Sequence, residues 1–158
     1  MSGLVFARRP RSNVTNVSIV CVAQSAQNFT LTGIRSAILS GAQVNPPVTT
    51  SATGIGGIIL KPASLDITGG VTLSGLTPVA VRIHQAPTGN PTLDGNAVIT
   101  LIIASDGLTA VVPPDTKLNV NQLASLLAGE LYFNVTTALN PIGEVRGAPK
   151  PGEIVVVG

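Results

Sequence analysis

Apolar and polar residues alternate over short stretches along most of the chain, and β-branched residues dominate these stretches. Turn signals such as Gly69-Gly70, Asp106-Gly107 and Asn140-Pro141 separate them. The candidate strands cover residues 14–22, 29–33, 36–42, 55–61, 64–74, 80–85, 97–104, 131–136, 143–147 and 153–157. Many short strands at this spacing predict a β-sandwich or barrel.

One segment has helical spacing instead. Leu123, Leu126 and Leu127 lie at positions i, i+3 and i+4, and Gly129 follows as a stop signal. Either Asn119 or Asn121 can cap the first turn. The apolar stripe is short and narrow, so we expect one short helix that lies on the sheet and has a packing role.

The length and the low content of charged residues limit the kinds of protein that this chain can be. The chain has 158 residues, enough for one domain with a real core. Hydrophobic residues make up 44% and charged residues only 10%, against about 25% charged in an average soluble domain. The surface must therefore be built from uncharged polar residues, glycine and proline, or be buried against other copies, and the second possibility is a first indication of an assembled subunit. A net charge of +2 is too small to indicate nucleic-acid binding. The Arg8, Arg9 and Arg11 cluster is interpreted as a solvated or disordered arm, with a contact to phosphate or an acidic partner as the alternative.

The sequence has one cysteine and shows neither a signal peptide nor a membrane-spanning segment. Cys21 lies in the apolar run Ile19–Val22, so we expect a buried thiol, with an intersubunit disulfide or a reactive thiol as the alternative. No signal peptide is visible, because polar residues interrupt what would be its apolar core. No run of 18 apolar residues exists, so no membrane span is predicted.

Two segments carry a family resemblance. Residues 36–48 read SAILSGAQVNPPV, and residues 131–147 read LYFNVTTALNPIGEVRG. They resemble the opening "LSGAQEVPPV" and the closing "YVNVHTxxNPxGEIRG" of the CHRD domain, the repeat first named from chordin. The resemblance implies an all-β fold, an antiparallel Greek-key-type β-sandwich or flattened barrel with one short helix, and a binding or structural context.

The resemblance also predicts the organisation of the chain. Residues 36–149 form the CHRD-like β-domain. Residues 1–35 form an N-terminal β-forming extension, and residues 150–158 form a C-terminal apolar strand. In this C-terminal strand, Ile154, Val155, Val156 and Val157 follow a Pro-Gly break. Such a strand must pair with a sheet edge, either in its own subunit or in a neighbour.

The middle motif of the family departs from its usual form. The family pattern His-Ile-His is replaced by Arg82-Ile83-His84, and the later family histidine falls on Thr136. One histidine and one cysteine in the chain cannot form a zinc or copper site within one subunit. We therefore predict no metal and no cofactor.

The closing motif supplies the polar residues of interest. Glu144 and Arg146 are two residues apart, so on a strand they share a face, and we predict a structural ion pair. The resemblance further implies that His84 lies close to both, in a structural polar network of His84, Glu144 and Arg146. No G-x-S-x-G motif and no other catalytic set is present, so we expect a protein that is not an enzyme.

These observations predict a non-enzymatic structural subunit. It would self-assemble as a homo-oligomer or polymer by strand addition through its terminal extensions. Its location would be a cell or spore surface or an extracellular fibre or layer. The alternative is a monomeric or dimeric CHRD binding module for a protein or glycan partner. Neither a nucleic acid nor a small-molecule ligand is expected.

Overall fold

A computed structural model of the chain describes residues 33–151, and residues Arg35–Lys150 form a compact unit. The strands are β1 Ile34–Ser40, β2 Thr53–Lys61, β3 Asp66–Ser74, β4 Ala80–Gln85, β5 Asn96–Thr100, β6 Ile102–Ile103, β7 Thr109–Val111, β8 Leu131–Thr136, β9 Val145–Gly147 and β10 Lys150–Pro151. One helix, α1, spans Val120–Leu127, and a 3₁₀ turn spans Gly41–Gln43. The predicted strands 14–22 and 153–157, most of 29–33, Cys21 and the apolar residues Ile154–Val157 lie outside the described residues.

The strands form one mostly antiparallel, nearly closed sheet. Nine of them lie in the order β5-β4-β8-β9-β1-β2-β3-β7-β6. The two strands at the ends of this order are consecutive in the chain, with only Leu101 between them. Leu101 is buried and donates its N–H to the Val81 carbonyl at 2.9 Å. One segment thus pairs with β4 and then with β7, which closes the flattened barrel that was predicted.

The long hairpin of β2 and β3 shows how the pattern of residues sets the two faces. Nine residue pairs run from Thr53↔Ser74 to Lys61↔Asp66. Ile58 and Val71 point into the barrel and are buried, whereas Ile55 and Ile59 point outward and are exposed. Alternate side chains of a strand point to opposite faces, so this alternation defines an inner and an outer surface.

The core lies inside the barrel. Phe133, which is fully buried, is the largest core side chain, and its neighbours on β8 along the inner face are equally buried. Burial of a residue of this size contributes about 1.5–3 kcal/mol. The inner wall opposite has small residues: a Cβ at Gly56 would be 3.1 Å from the Phe133 ring and still closer to the Val71 side chain. The wall therefore fits around the aromatic ring.

The helix forms as predicted. Asn119 is its N-cap, and it forms a capping box in which its side chain accepts from the Gln122 N–H while Gln122 accepts from the Asn119 N–H. Leu126 is buried against the core, and Gly129 takes a positive φ of 77° just past the end. Leu127 stays exposed.

Most strand predictions are confirmed, and the differences have local causes. Strands 80–85 and 131–136 have the predicted bounds. The predicted strand 97–104 is two strands, because the chain changes pairing partner at Leu101. The predicted strand 143–147 begins at Val145. Strand β7, which is three residues long, was not predicted, because only five residues separate the Asp106-Gly107 turn from Pro113.

Candidate functional site

Three polar side chains lie together on the outer surface of neighbouring strands. His84 on β4 is paired with Tyr132 on β8, and Asn134 on β8 is paired with Arg146 on β9. Directly paired residues, and residues two apart on a strand, share a face. Since β8 lies between β4 and β9, Tyr132 lies between His84 and Arg146.

The Tyr132 ring contacts both neighbours. The imidazole of His84 stacks on it with the ring centroids 5.3 Å apart and 23° between the planes. The guanidinium carbon of Arg146 lies 3.5 Å from the ring centroid, a cation–π contact that contributes about 0.5–2 kcal/mol when desolvated. We call these three residues the loop clamp, because each of them also bonds to one loop.

Arg146 holds that loop, residues 86–95, at two carbonyls and one carboxylate. The buried guanidinium donates to the carbonyl oxygens of Pro91 and Leu93, both at 2.9 Å, and to Asp94 Oδ1 at 3.0 Å. A planar guanidinium presents its N–H groups in a fixed fork, so it can bond three acceptors from one position. Lysine could not reproduce this arrangement.

The other two residues of the loop clamp bond Gly95 at the end of the loop. The Gly95 N–H donates to the Tyr132 hydroxyl at 2.9 Å, and the Gly95 carbonyl lies 2.8 Å from His84 Nδ1. A carbonyl only accepts, so Nδ1 carries the proton of the imidazole. A Cβ at Gly95 would collide with the Gln85 backbone, so this close approach requires glycine.

Glu144 holds a different part of the chain. Its Oε2 accepts from the Thr50 hydroxyl at 2.7 Å, and its Oε1 accepts from the Thr137 hydroxyl at 2.7 Å and the Asn140 side chain at 3.3 Å. These bonds, led by that from Thr50, lower the pKa of the Glu144 carboxyl below its ordinary value of 4.5, although burial opposes the shift. The carboxylate therefore fixes the turn after β8 and the segment before β2.

The structure corrects one part of the predicted network. Arg146 forms its ion pair with Asp94, not with Glu144. His84 bonds neither of them, and its contact with Arg146 runs through the Tyr132 ring. The three predicted residues thus belong to two sets of bonds, because Glu144 precedes β9 and faces the turn while Arg146 extends over β8.

Two partners were not identified from the sequence. Tyr132 is the only tyrosine in the chain and stands inside the closing motif. Its rarity and its position in the motif were therefore usable signals. Asp94 stands in the dipeptide Asp94-Gly95, which is typical of a turn, and its pairing with Arg146 spans 52 positions. No local pattern marks a contact of that length.

A groove of about 560 Å³ lies beside the loop clamp. Its walls come from the segment after β1, from the loop 86–95 and from the strands near the end of the described chain. Its lining includes Gln43, Pro47, Pro91, Leu93, Arg146 and Lys150. Arg146 bonds the loop that forms one wall, so the loop clamp holds that wall in place.

The remaining chemistry of the described residues is limited. Among residues 33–151, no three His, Cys, Asp or Glu side chains cluster closely enough to hold a metal ion. His84 Nε2 is buried and has no hydrogen-bond partner within the same part of the chain. No helix in that range is long and apolar enough to cross a membrane.

Comparison with known proteins identifies the family. No curated protein and no solved structure matches the chain. A family model described as the CHRD domain matches residues 35–148. This range contains the whole loop clamp, Glu144 and nearly all of the described barrel. The chain belongs to the CHRD domain family.

Proposed function

We propose that the chain is a non-enzymatic structural subunit that self-associates into a fibre or layer at a cell or spore surface or outside the cell. The observation that carries the proposal is the use of the polar motif residues. The hydrogen bonds of Arg146, Glu144 and His84 are formed with loops of the same barrel. The motif thus builds a rigid scaffold, and its outer surface is what it presents to partners.

The arrangement of these groups offers little support for catalysis. A catalytic base must be within hydrogen-bond reach of the group that it deprotonates. His84 Nδ1 is bonded to a backbone carbonyl, and Nε2 contacts no hydroxyl or thiol of the described residues. Arg146 and Glu144 are occupied by the loops that they hold.

The proposed assembly uses the terminal extensions as exchanged strands. Residues 150–158 contain the apolar run Ile154–Val157, and residues 1–35 are rich in β-branched residues. The nearly closed barrel leaves few unpaired backbone groups, which limits where an added strand can pair. This limit makes deletion of one extension an informative experiment.

Negative-stain electron microscopy of the full-length chain and of a chain lacking residues 150–158 tests the proposal. Fibres, layers or rings from the full-length chain support self-association. Their loss on deletion assigns the contact to the C-terminal segment, and their persistence assigns it to residues 1–35 or to the barrel surface. Single small particles in both samples would reject the proposal.

The groove beside the loop clamp favours a second candidate, a binding module for a protein or glycan partner. Binding sites are concave and largely apolar with a few polar groups, and the groove has apolar walls with Gln43, Arg146 and Lys150 among its lining. A binding module would be monodisperse in isolation. The same microscopy, together with sedimentation, therefore separates the two candidates.

A further inference from the structure

One half of the barrel has an outer surface whose central part carries no charge. Its strands are β1, β2, β3, β7 and β6, which are neighbours in that order. The outward positions between the two ends of the β2–β3 hairpin are apolar residues, glycines, serines and threonines, and charges occur only at one end, at Lys61 and Asp66. We call its exposed large residues the apolar face: Ile38, Ile55, Ile59, Ile102 and Val111.

The apolar face is continuous across the strands. Gly57 is paired with Gly70, Gly70 with Val111, and Val111 with Ile102, so these four residues form one row. This row crosses the hairpin at the middle of its nine residue pairs. Ile55 and Ile59, which are 69% and 51% exposed, stand on either side of Gly57. On β2 and β3 the surface thus has a shallow depression at Gly57 and Gly70, with Ile55 on one side of it and Ile59 on the other.

The two glycines of the depression have different reasons to be glycine. A Cβ at Gly70 would collide with the backbone carbonyl of Ala110, so the barrel itself requires glycine there. At Gly57 the nearest atom to a Cβ would be the Arg35 carbonyl oxygen at 3.2 Å. The barrel therefore restricts a side chain at Gly57 less than at Gly70. The absence of a side chain at Gly57 leaves a depression in the outer surface.

We infer that the apolar face packs against the same face of a second copy of this chain. This inference rests on the proposed self-association and names its contact surface. Between its two ends the face has no charge that a partner with a charged surface could recognise. The same face of a second copy is equally apolar, so the two faces match in polarity. At the ordinary spacing of residues and strands, the face covers about 500 Å². Two copies would bury about 1,000 Å², the area at which a specific interface becomes credible.

The inference includes one orientation of the pair, with the two-fold axis along the Gly57–Gly70 row. An axis between β2 and β3 would place Lys61 of each copy opposite Asp66 of the other, and an axis along β2 itself would place Lys61 opposite Lys61. An axis along the Gly57–Gly70 row avoids this contact, because it places the Lys61 end of one copy opposite the Thr53 and Ser74 end of the other. Rotation about that row also places Ile55 of each copy opposite Ile59 of the other.

This orientation makes a charge-pairing experiment possible. Ile55→Lys/Ile59→Lys introduces like charges at both contact points, whereas Ile55→Lys/Ile59→Glu places opposite charges across the interface and removes the same apolar area. The matched control is Val79→Lys/Leu139→Lys, at two apolar residues that are 65% and 89% exposed and lie outside the apolar face. Sedimentation velocity over a range of concentrations gives the dissociation constant of each variant. Circular dichroism checks that each one folds.

We expect the Lys/Lys variant to dissociate at least about tenfold more readily than wild type, and the Lys/Glu variant to recover at least about tenfold of that loss. The control should stay within about threefold of wild type. Association of the Lys/Lys variant equal to wild type would overturn this inference and leave self-association through another contact. Equal weakness of the Lys/Lys and Lys/Glu variants would overturn the two-fold placement. A monomeric wild-type chain would reject both the inference and the proposed function.

Discussion

The two halves of the barrel use their outer surfaces in opposite ways. On β4, β8 and β9 the outer side chains are His84, Tyr132 and Arg146, and each of them bonds a loop of the same chain. On β2, β3, β7 and β6 the central outer side chains are isoleucine, valine, threonine and glycine, and the isoleucines are exposed. The first surface is engaged by loops of the same chain, whereas the isoleucines of the second have no such loop over them within residues 33–151.

The residues that carry the family resemblance therefore differ from the residues that carry the proposed self-association. The closing motif supplies Tyr132, Glu144 and Arg146, which hold loops and so define the fold. The apolar face lies outside the two motifs except for Ile38. We therefore expect substitutions in the loop clamp to change stability and substitutions in the apolar face to change association.

The largest expected effect on stability is at Arg146. Arg146→Leu removes three hydrogen bonds and the cation–π contact with Tyr132. We expect a loss of about 2–4 kcal/mol in the free energy of unfolding, with the Asp94 contribution small because that carboxylate is half exposed. Urea denaturation measures the loss. Arg82→Leu is the matched control and should cost under about 1 kcal/mol, whereas equal losses at both positions would contradict the loop clamp.

Glu144 is expected to have the next largest effect. Glu144→Gln leaves an amide group facing hydroxyl donors, so we expect a loss of about 1–3 kcal/mol at pH 7 in urea denaturation. Thr116→Val is a control, since the Thr116 hydroxyl bonds only the nearby Pro113 carbonyl. A Gln variant as stable as wild type would show that the bonds to Thr50 and Thr137 do not hold the turn.

The lowered pKa of Glu144 gives this residue a pH signature. A carboxyl whose pKa is lower in the folded state stabilises the fold above its unfolded pKa and loses this contribution as the pH falls through the folded pKa. Below pH 4.5 the stability difference between wild type and Glu144→Gln should therefore shrink. Asp66 and Asp106 also have lowered pKa values, through bonds led by those from Ser64 and the Leu108 N–H. They are present in both proteins, so the difference isolates Glu144. A difference that does not change with pH would contradict the assignment.

Tyr132→Phe should have a smaller effect. It keeps the ring between His84 and Arg146 and removes only the acceptor for the Gly95 N–H. We expect a loss of about 1 kcal/mol and faster amide hydrogen exchange at Gly95. Tyr132→Leu also removes the stacking contacts and should cost more, and equal effects of the two substitutions would assign no role to the ring.

The smallest effect on stability is expected in the apolar face. Ile55→Lys changes an exposed side chain, so the free energy of unfolding of the monomer should stay within about 0.5 kcal/mol of wild type. Thermal unfolding at low protein concentration, where association is weak, measures this quantity. A large loss would show that Ile55 supports the barrel and would weaken the contrast between the two halves.

The sequence predicts the fold better than it predicts the contacts between distant residues. Strands β4 and β8 had clear bounds because β-branched residues and turn signals delimit them. His84 and Arg146 were identified from the motifs, but the partner of Arg146 was not, because Asp94 approaches it only through the folding of a loop. Ile55 and Ile58 stand in one apolar run, and only the register of β2 shows which of them faces outward.

The central claim is that the motif residues build a rigid barrel whose free surface serves self-association. Sedimentation velocity of the purified wild-type chain over a wide range of concentrations tests it most directly. The account predicts dimers at low concentration and larger species as the concentration rises. A monomer at every concentration would contradict it and would favour a binding module that uses the groove beside the loop clamp.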